Sequence, residues 1–238
     1  MADYELYYWP VPFRGQFVRA ILAYADKSWD EHDSDAIAAI MERAPAVQPI
    51  GFMGPPIIIE KASAFAVSQM PAIALYLGDA FDLLPPDPRN RALTSKIVND
   101  ANDVIDELTL DGGREMWTDK KWTAFLPRLE KWMAIWESLA AWNCGGSGEG
   151  GYLLGMRKAG VADIVTATLW STMGYHFPAI EMMLAEKAPL THGLVRRMQA
   201  APSLAKLQAD TIARYGDVYC GGDIEKSLRM VLRGRPER

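Results

Sequence analysis

Residues 54–78, Gly-Pro-Pro-Ile-Ile-Ile-Glu-Lys-Ala-Ser-Ala-Phe-Ala-Val-Ser-Gln-Met-Pro-Ala-Ile-Ala-Leu-Tyr-Leu-Gly, leave the chain few ways to fold. Ile57–Ile59 are β-branched and too few for a helix, so they read as a strand. Ser63–Val67 supplies a return strand, with Glu60–Ala62 as the turn between them. Pro71 suits the first position of a helix, where its missing N–H costs nothing. Ile73, Tyr76 and Leu77 follow at helical spacing, and Gly78 reads as the stop. The helix therefore opens directly after Ser68-Gln69-Met70. Its free N–H groups and positive dipole end make that place suited to a carboxylate.

The segments before this stretch extend the pattern. Tyr4–Trp9 is aromatic-rich, has strand character and ends at Pro10. Arg14–Tyr24 puts Phe17, Val18, Ile21 and Leu22 on one helical face. Trp29–Asp33 reads as a weak, polar strand and Asp35–Arg43 as a short Ala-rich helix. Residues 44–56 hold four prolines and two glycines and read as loop. The order up to residue 80 is thus β-α-β-α-β-β-α. Phe81–Pro88, with three prolines, reads as a linker.

Only helices are expected beyond the linker. Arg89–Leu110 places Leu93, Ile97, Val104 and Leu108 on one face, and Trp122–Trp142 is patterned likewise. Asn143–Gly151 contains five glycines and reads as a flexible connection, since it follows a helix and lacks the Lys-Ser/Thr of a phosphate loop. Val161–Met173 carries the next apolar stripe. Two shorter helices are expected at about 190–200 and 203–214, and a short one from Asp223.

Composition narrows the function. The 238 residues are half hydrophobic with a formal net charge of −5, and no basic run is interleaved with aromatics, which speaks against nucleic-acid binding. Cys144 and Cys220 have no paired spacing, which suits a reducing compartment and gives neither a disulfide framework nor a zinc cluster. His32, His176 and His192 are scattered, so no metal site is expected. No apolar run is long enough for a membrane span, and the N-terminus has no leader-like pattern. The expectation is a soluble, cytoplasmic protein that does not engage membranes.

The stretch at 54–78 resembles the end of the thioredoxin-like domain of glutathione transferases. Pro56 matches the family's cis-proline, Gln69 the first residue of the pair that opens the third helix, and Ala72-Ile73 to Leu77-Gly78 the helix itself. The α/β-then-helical pattern over about residues 4–214 is similar to the whole family fold. Asp163, after Gly160, matches the capping box that starts the buried helix of the second domain. The resemblance implies a thioredoxin-like domain over 1–80, a linker over 81–88, an all-helical domain over 89–214 and a C-terminal extension over 215–238.

The resemblance also implies a chemistry. Glutathione transferases bind glutathione as co-substrate and stabilise its thiolate with a hydroxyl or thiol near the end of the first strand. A thiol of pKa about 8.5 is only about 3% ionised at pH 7. One hydrogen bond to the anion supplies about 1.5–3 kcal/mol, close to the roughly 2.7 kcal/mol needed to lower that pKa by two units. Residues 9–16, Trp-Pro-Val-Pro-Phe-Arg-Gly-Gln, contain neither Ser nor Cys, while Tyr7 and Tyr8 face opposite sides of the strand. Tyr8-Trp9-Pro10-Val11-Pro12-Phe13-Arg14-Gly15 is similar to the Tyr-aromatic-Pro-Val-Arg-Gly run of the pi class, with two extra residues. By that match Tyr8 activates the thiol. Arg14, Pro55, Pro56, Ser68, Gln69 and Asp100 fall to the glutathione site. Asn99-Asp100 matches a pair that reaches across a homodimer interface, although an Asp at the edge of the stripe paired to a neighbouring Lys or Arg is an equal reading. Trp9, Val11, Phe13, Met116 and Trp117 would line the pocket for a hydrophobic electrophile.

Two residues depart from the family. Met70 replaces the serine that binds the γ-glutamyl carboxylate, and Pro55 removes the N–H that pairs with the cysteinyl unit. Both favour an alternative in which the fold is non-catalytic and binds a hydrophobic ligand or a protein partner.

Overall fold

A computed structural model describes residues 2–143 and 151–233. Most of the glycine-rich connection read at Asn143–Gly151 lies outside the described residues.

Four strands form one sheet: β1 (Tyr4–Tyr7), β2 (Trp29–His32), β3 (Ile57–Glu60) and β4 (Ala66–Ser68), in the order β2-β1-β3-β4. β1 runs parallel to β2 and antiparallel to β3, which pairs antiparallel with β4. Helices α1 (Phe13–Tyr24), α2 (Ser34–Met41) and α3 (Met70–Ala80) are interleaved with the strands. α4 (Pro88–Leu108), the short turn α5 (Leu110–Gly113), α6 (Asp119–Asn143), α7 (Val161–His176), α8 (Pro178–Lys187), α9 (Pro189–Gln199), α10 (Pro202–Tyr215) and α11 (Gly222–Arg233) follow without another strand among the described residues. This is the thioredoxin-like sheet followed by an all-helical array. No helix among the described residues is long and apolar enough to cross a membrane.

α7 is the central post. It is buried nearly end to end and packs on α1, α4, α8 and α9. Gly160 caps it, and the Asp163 carboxylate accepts the N–H groups of Leu153 at 2.7 Å and Gly160 at 2.9 Å, so the box works without a capping hydroxyl. Burial pushes the Asp163 carboxyl up to about 6, against the pull of those N–H groups.

Three elements differ from the sequence reading. α3 runs through Gly78 to Ala80, so Gly78 is not its stop; a Cβ there would stand 2.5 Å from Val161 and 2.9 Å from Leu84. Close packing accounts for that glycine. The return strand starts at Ala66, since the turn takes Lys61–Ser63 and Ala64 lies at φ 57°. α8 escapes periodicity because only Ile180 and Leu184 on it are buried.

Candidate functional site

The sheet register assembles one end of the site. Tyr7 pairs with Ile57, and Ile57 with Ser68. Tyr8, Pro56 and Gln69 each adjoin one of these residues, so they share one end of three neighbouring strands. The Pro55–Pro56 bond is cis, and the Gln69 N–H donates to the Pro56 carbonyl at 3.3 Å. Tyr7 faces the other way, with its ring stacked on His32 at 3.9 Å between centroids.

Tyr8 is buried, and its position depends on α1. A Cβ at Gly15 would stand 2.3 Å from Tyr8 Cδ1, so glycine is what lets the helix pass the ring. The Arg14 N–H donates to Tyr8 Oη at 3.0 Å. The hydroxyl therefore accepts one bond and keeps its own hydrogen to donate. Burial pushes Tyr8 up to about 12, opposed by the charges of Arg14 and Arg19 and by that N–H. At neutral pH Tyr8 is a protonated donor.

Two arginines fix the loop between Tyr8 and α1. Arg14 Nε donates to Asn102 Oδ1 at 3.2 Å and Nη2 to Asp106 Oδ1 at 2.9 Å, tying the loop to α4. Arg19, 2% exposed, donates from Nη1 to the carbonyls of Val11 at 3.0 Å and Pro12 at 3.3 Å. Its other nitrogens hold Glu31 of β2 in a bidentate pair at 2.7 and 3.1 Å. Glu31 also accepts from Tyr215 of α10 at 3.0 Å. Burial opposes its ionisation, yet Arg19 keeps its carboxyl below the ordinary range.

At the mouth of α3, helix geometry leaves the N–H groups of Met70 and Ala72 without intrahelical partners. Gln69 caps the helix with no side-chain bond to it, is exposed, and sits at φ 74°, ψ 120°, a strained conformation for a residue with a Cβ. Ser68 is half-buried beside it. The Met70 side chain turns inward and is 1% exposed in the core, while Met53 is 91% exposed. Neither methionine plugs the end of the sheet.

Asp100 stands at the border of the α4 stripe rather than within it; the buried line there is Ile97, Ala101, Val104, Ile105 and Leu108. It is half-buried and paired with Lys96 one turn earlier, and Asn99 bonds back to the Ser95 carbonyl. Among the expected wall residues, Trp9 and Met116 are exposed and Val11 half-buried. Trp117 belongs elsewhere. It is 5% exposed, donates its indole N–H to the Leu108 carbonyl at 2.9 Å, and packs on Trp122 and Phe125. An indole so enclosed offers no face to a ligand.

Phe13 is buried because Tyr219 lies edge-on to it at 5.5 Å. Periodicity gave no sign of this covering segment. The Glu225 carboxylate accepts three consecutive backbone N–H groups, from Tyr219 at 3.0 Å, Cys220 at 2.9 Å and Gly221 at 2.7 Å. Arg229 pairs with the other Glu225 oxygen and donates to the Asp217 carbonyl. The strap so held runs beside Val11, Phe13 and Tyr8, and burial with Glu225 nearby pushes the Cys220 thiol up to about 12. The only signal in the sequence is Gly221-Gly222, both at positive φ, ahead of an acidic helix start. Among the described residues no group of three or more His, Cys, Asp or Glu could hold a metal ion.

The family model described as glutathione S-transferase, C-terminal domain, matches residues 93–231, more than half of the 238-residue chain. The chain belongs to the glutathione S-transferase family. No curated protein matches its sequence. The fold is similar to that of a pi-class glutathione S-transferase of Onchocerca volvulus, at TM-score 0.71 and 18% identity, covering 93% of this chain and 98% of that one. It is also similar to the monomeric Na-GST-3 of the hookworm Necator americanus, at TM-score 0.70 and 20% identity, covering 87% and 97%. NaGST-2 gives TM-score 0.69 and 21% identity over 88% and 97%. The family match runs to residue 231 and so takes in the strap and most of α11.

Proposed function

We propose that this glutathione S-transferase holds glutathione across the end of the sheet and uses Tyr8 to stabilise its thiolate for transfer to a hydrophobic electrophile. The observation that supports this reading is the sheet register, by which Tyr8, Pro56 and Gln69 flank the same end of three neighbouring strands. Strands lie about 4.8 Å apart, so the span from Tyr8 to Gln69 is roughly 10 Å. A three-residue peptide extends at most about 10–11 Å. Gln69, Ser68 and the free N–H groups of α3 would take the γ-glutamyl carboxylate, where the helix dipole favours an anion. Glutathione supplies the sulfur nucleophile. Tyr8 would donate its hydroxyl hydrogen toward that sulfur while the Arg14 N–H holds the phenol oxygen in place. Trp9, Val11 and Met116 would form the apolar wall, while Phe13 and Tyr219, both buried against each other, would support it from behind.

Pro55 and Met70 favour the second reading, a non-catalytic binder, since one withholds a backbone donor and the other a hydroxyl. Two lost neutral bonds at about 0.5–1.5 kcal/mol each weaken binding by roughly 5- to 150-fold. The lower end of that range is compatible with the millimolar thiol of a cell, and Ser68 stands beside Gln69 as a substitute donor. The deciding experiment is glutathione calorimetry on the purified chain together with turnover of 1-chloro-2,4-dinitrobenzene. Affinity at or below about a millimolar, with turnover falling roughly 10- to 100-fold in Tyr8→Phe, is expected from the strength of one hydrogen bond to an anion. Binding without turnover would point to the non-catalytic reading.

A further inference from the structure

Phe13 opens α1 at φ 27°, a conformation that costs free energy in a residue with a Cβ and persists only where its surroundings over-determine it. This joint lies between Tyr8 and the Arg14 N–H that bonds its hydroxyl, so its shape sets where the hydroxyl points. Three contacts hold it. The Arg14 guanidinium ties it to α4, Tyr219 packs edge-on against the Phe13 ring, and Arg19 Nη1 takes the Val11 and Pro12 carbonyls just before it.

Arg19 touches the tyrosine as well as the loop. Gly15 and Arg19 stand one turn apart on α1 and share a face. A Cβ at Gly15 would lie 2.3 Å from Tyr8 Cδ1 and 3.0 Å from Arg19 Nη1, so the phenol and the guanidinium meet over that glycine. Arg19 Cζ is 5.8 Å from the Tyr8 ring centre and 5.2 Å from that of Tyr215. A guanidinium so buried needs a counter-charge, and Glu31 supplies it with both oxygens. Strand alternation puts Trp29 and Glu31 on one face of β2, where the Trp29 indole donates to Glu31 Oε1 at 3.0 Å. The last turn of α10 completes the set. Tyr215 Oη donates to Glu31 Oε2 at 3.0 Å, and Arg214 Nη1 lies 3.0 Å from the same atom. One carboxylate thus joins β2, α1 and α10.

We propose that Arg19 and Glu31 are positioning residues for Tyr8, an assignment that rests on Tyr8 acting on the glutathione thiol: they clamp the Phe13 joint so that the hydroxyl meets the sulfur, and through Glu31 that aim depends on the docking of α10. Glu31 itself faces a crevice with Leu207, Asp210 and Arg214, whose wall does not include Tyr8. Its two oxygens fix the Nε and Nη2 edge of Arg19, and because the guanidinium is planar they fix the direction of Nη1 too. Were α10 to withdraw, Glu31 would lose Tyr215 and Arg214. Its carboxylate would be free to turn, and Nη1 would swing with it away from the loop. The Arg19 charge beside the ring also favours negative charge at the hydroxyl end of Tyr8.

The test is a titration of the bound glutathione thiol, followed by thiolate absorbance, in wild type and Arg19→Met. Glu31 keeps Trp29, Tyr215 and Arg214 in that variant, so its charge is not stranded. Arg14, Tyr219 and Cys220, the other ionisable groups around Tyr8, are untouched. Arg19→Met should raise the thiol pKa by about one unit, cutting turnover of 1-chloro-2,4-dinitrobenzene about tenfold at pH 6. At pH 9, above the free thiol's pKa of about 8.5, the loss should shrink to less than about threefold. Arg19→Lys keeps the charge without the planar fork and should fall between the two. Tyr215→Phe with Arg214→Gln, which frees Glu31 from α10, should cut turnover at pH 6 at least about threefold, and it carries the test if Arg19→Met does not fold. A folded Arg19→Met with an unmoved thiol, or with equal losses at pH 6 and 9, overturns the proposal. So does an unmoved thiol in the α10 variant. If Tyr8→Phe also leaves the thiol unmoved, or wild type binds no glutathione, the reading of Tyr8 has failed instead. A ligand-free crystal structure of Arg19→Met then decides the clamp: Phe13 relaxed to negative φ upholds it, and Phe13 still at φ 27° with Arg14 on Tyr8 overturns it.

Discussion

A phenol that accepts one N–H still has its own hydrogen to give, and burial lets Tyr8 keep that hydrogen to about pH 12. Resemblance singled out Tyr8, and strand alternation set it opposite Tyr7, but what holds its ring in place was not legible. That depends on Gly15 giving way and on Arg19 gripping the Val11 and Pro12 carbonyls, and neither contact leaves a periodic trace. Arg19 reads in the sequence as one polar residue on a helix; only the fold shows Glu31 opposite it. Gln69 is the counterpart at the other end of the site, legible by resemblance although its strain was not. A residue at φ 74° that relaxes on losing its Cβ should not lower stability when changed to glycine. We expect Gln69→Gly to unfold in urea at the same or higher concentration, by up to about 1 kcal/mol, while glutathione affinity falls. A clear loss of stability would mean that the backbone there is not strained.

Among elements, β3 was legible from its short β-branched run, and the long helices α4 and α6 because burial on one face imposes a period. α8 was not, having only two buried positions, and the strap over Phe13 has no period at all. Glu225 holds that strap with three N–H bonds. Replacing it with Ala strands those donors and the Arg229 charge, at a cost of about 3 kcal/mol. In a Cys144→Ser background, Glu225→Ala should let Cys220 react with a thiol reagent at least about tenfold faster, the size of change that 1.4 kcal/mol of opening would give. An unchanged rate would show that the strap holds without the clamp. At α7 the carboxylate of Asp163 gives a pH signature. With the folded pKa near 6 and the unfolded one near 4, the folded chain keeps a proton that the unfolded chain has released. Stability from this group therefore falls as pH rises through that window. The advantage of wild type over Asp163→Asn should shrink between about pH 4 and 6 in urea unfolding, and a constant difference would contradict this.

For the whole molecule, the sequence supported the sheet-then-helices order because its two halves are patterned differently. It could not say how the ends of the chain meet. Resemblance implies a homodimer in which Asp100 reaches a neighbouring subunit, whereas within one chain Asp100 pairs with Lys96. Light scattering decides between a particle of 26.4 kDa and one of twice that mass. We expect the dimer, with Asp100→Asn weakening glutathione binding several-fold. A monomer with unaltered affinity in Asp100→Asn would confine Asp100 to its pairing with Lys96.

Tyr8 and Glu225 lie more than two hundred residues apart, yet the strap that Glu225 fastens covers the loop that follows Tyr8. On a ribosome the first of these emerges long before the second. Until the second is out, Tyr8 and the loop after it stand without the segment that covers them. Selectivity for what enters there would then be acquired only once the strap has docked, and would be absent from any truncated product that stops short of it.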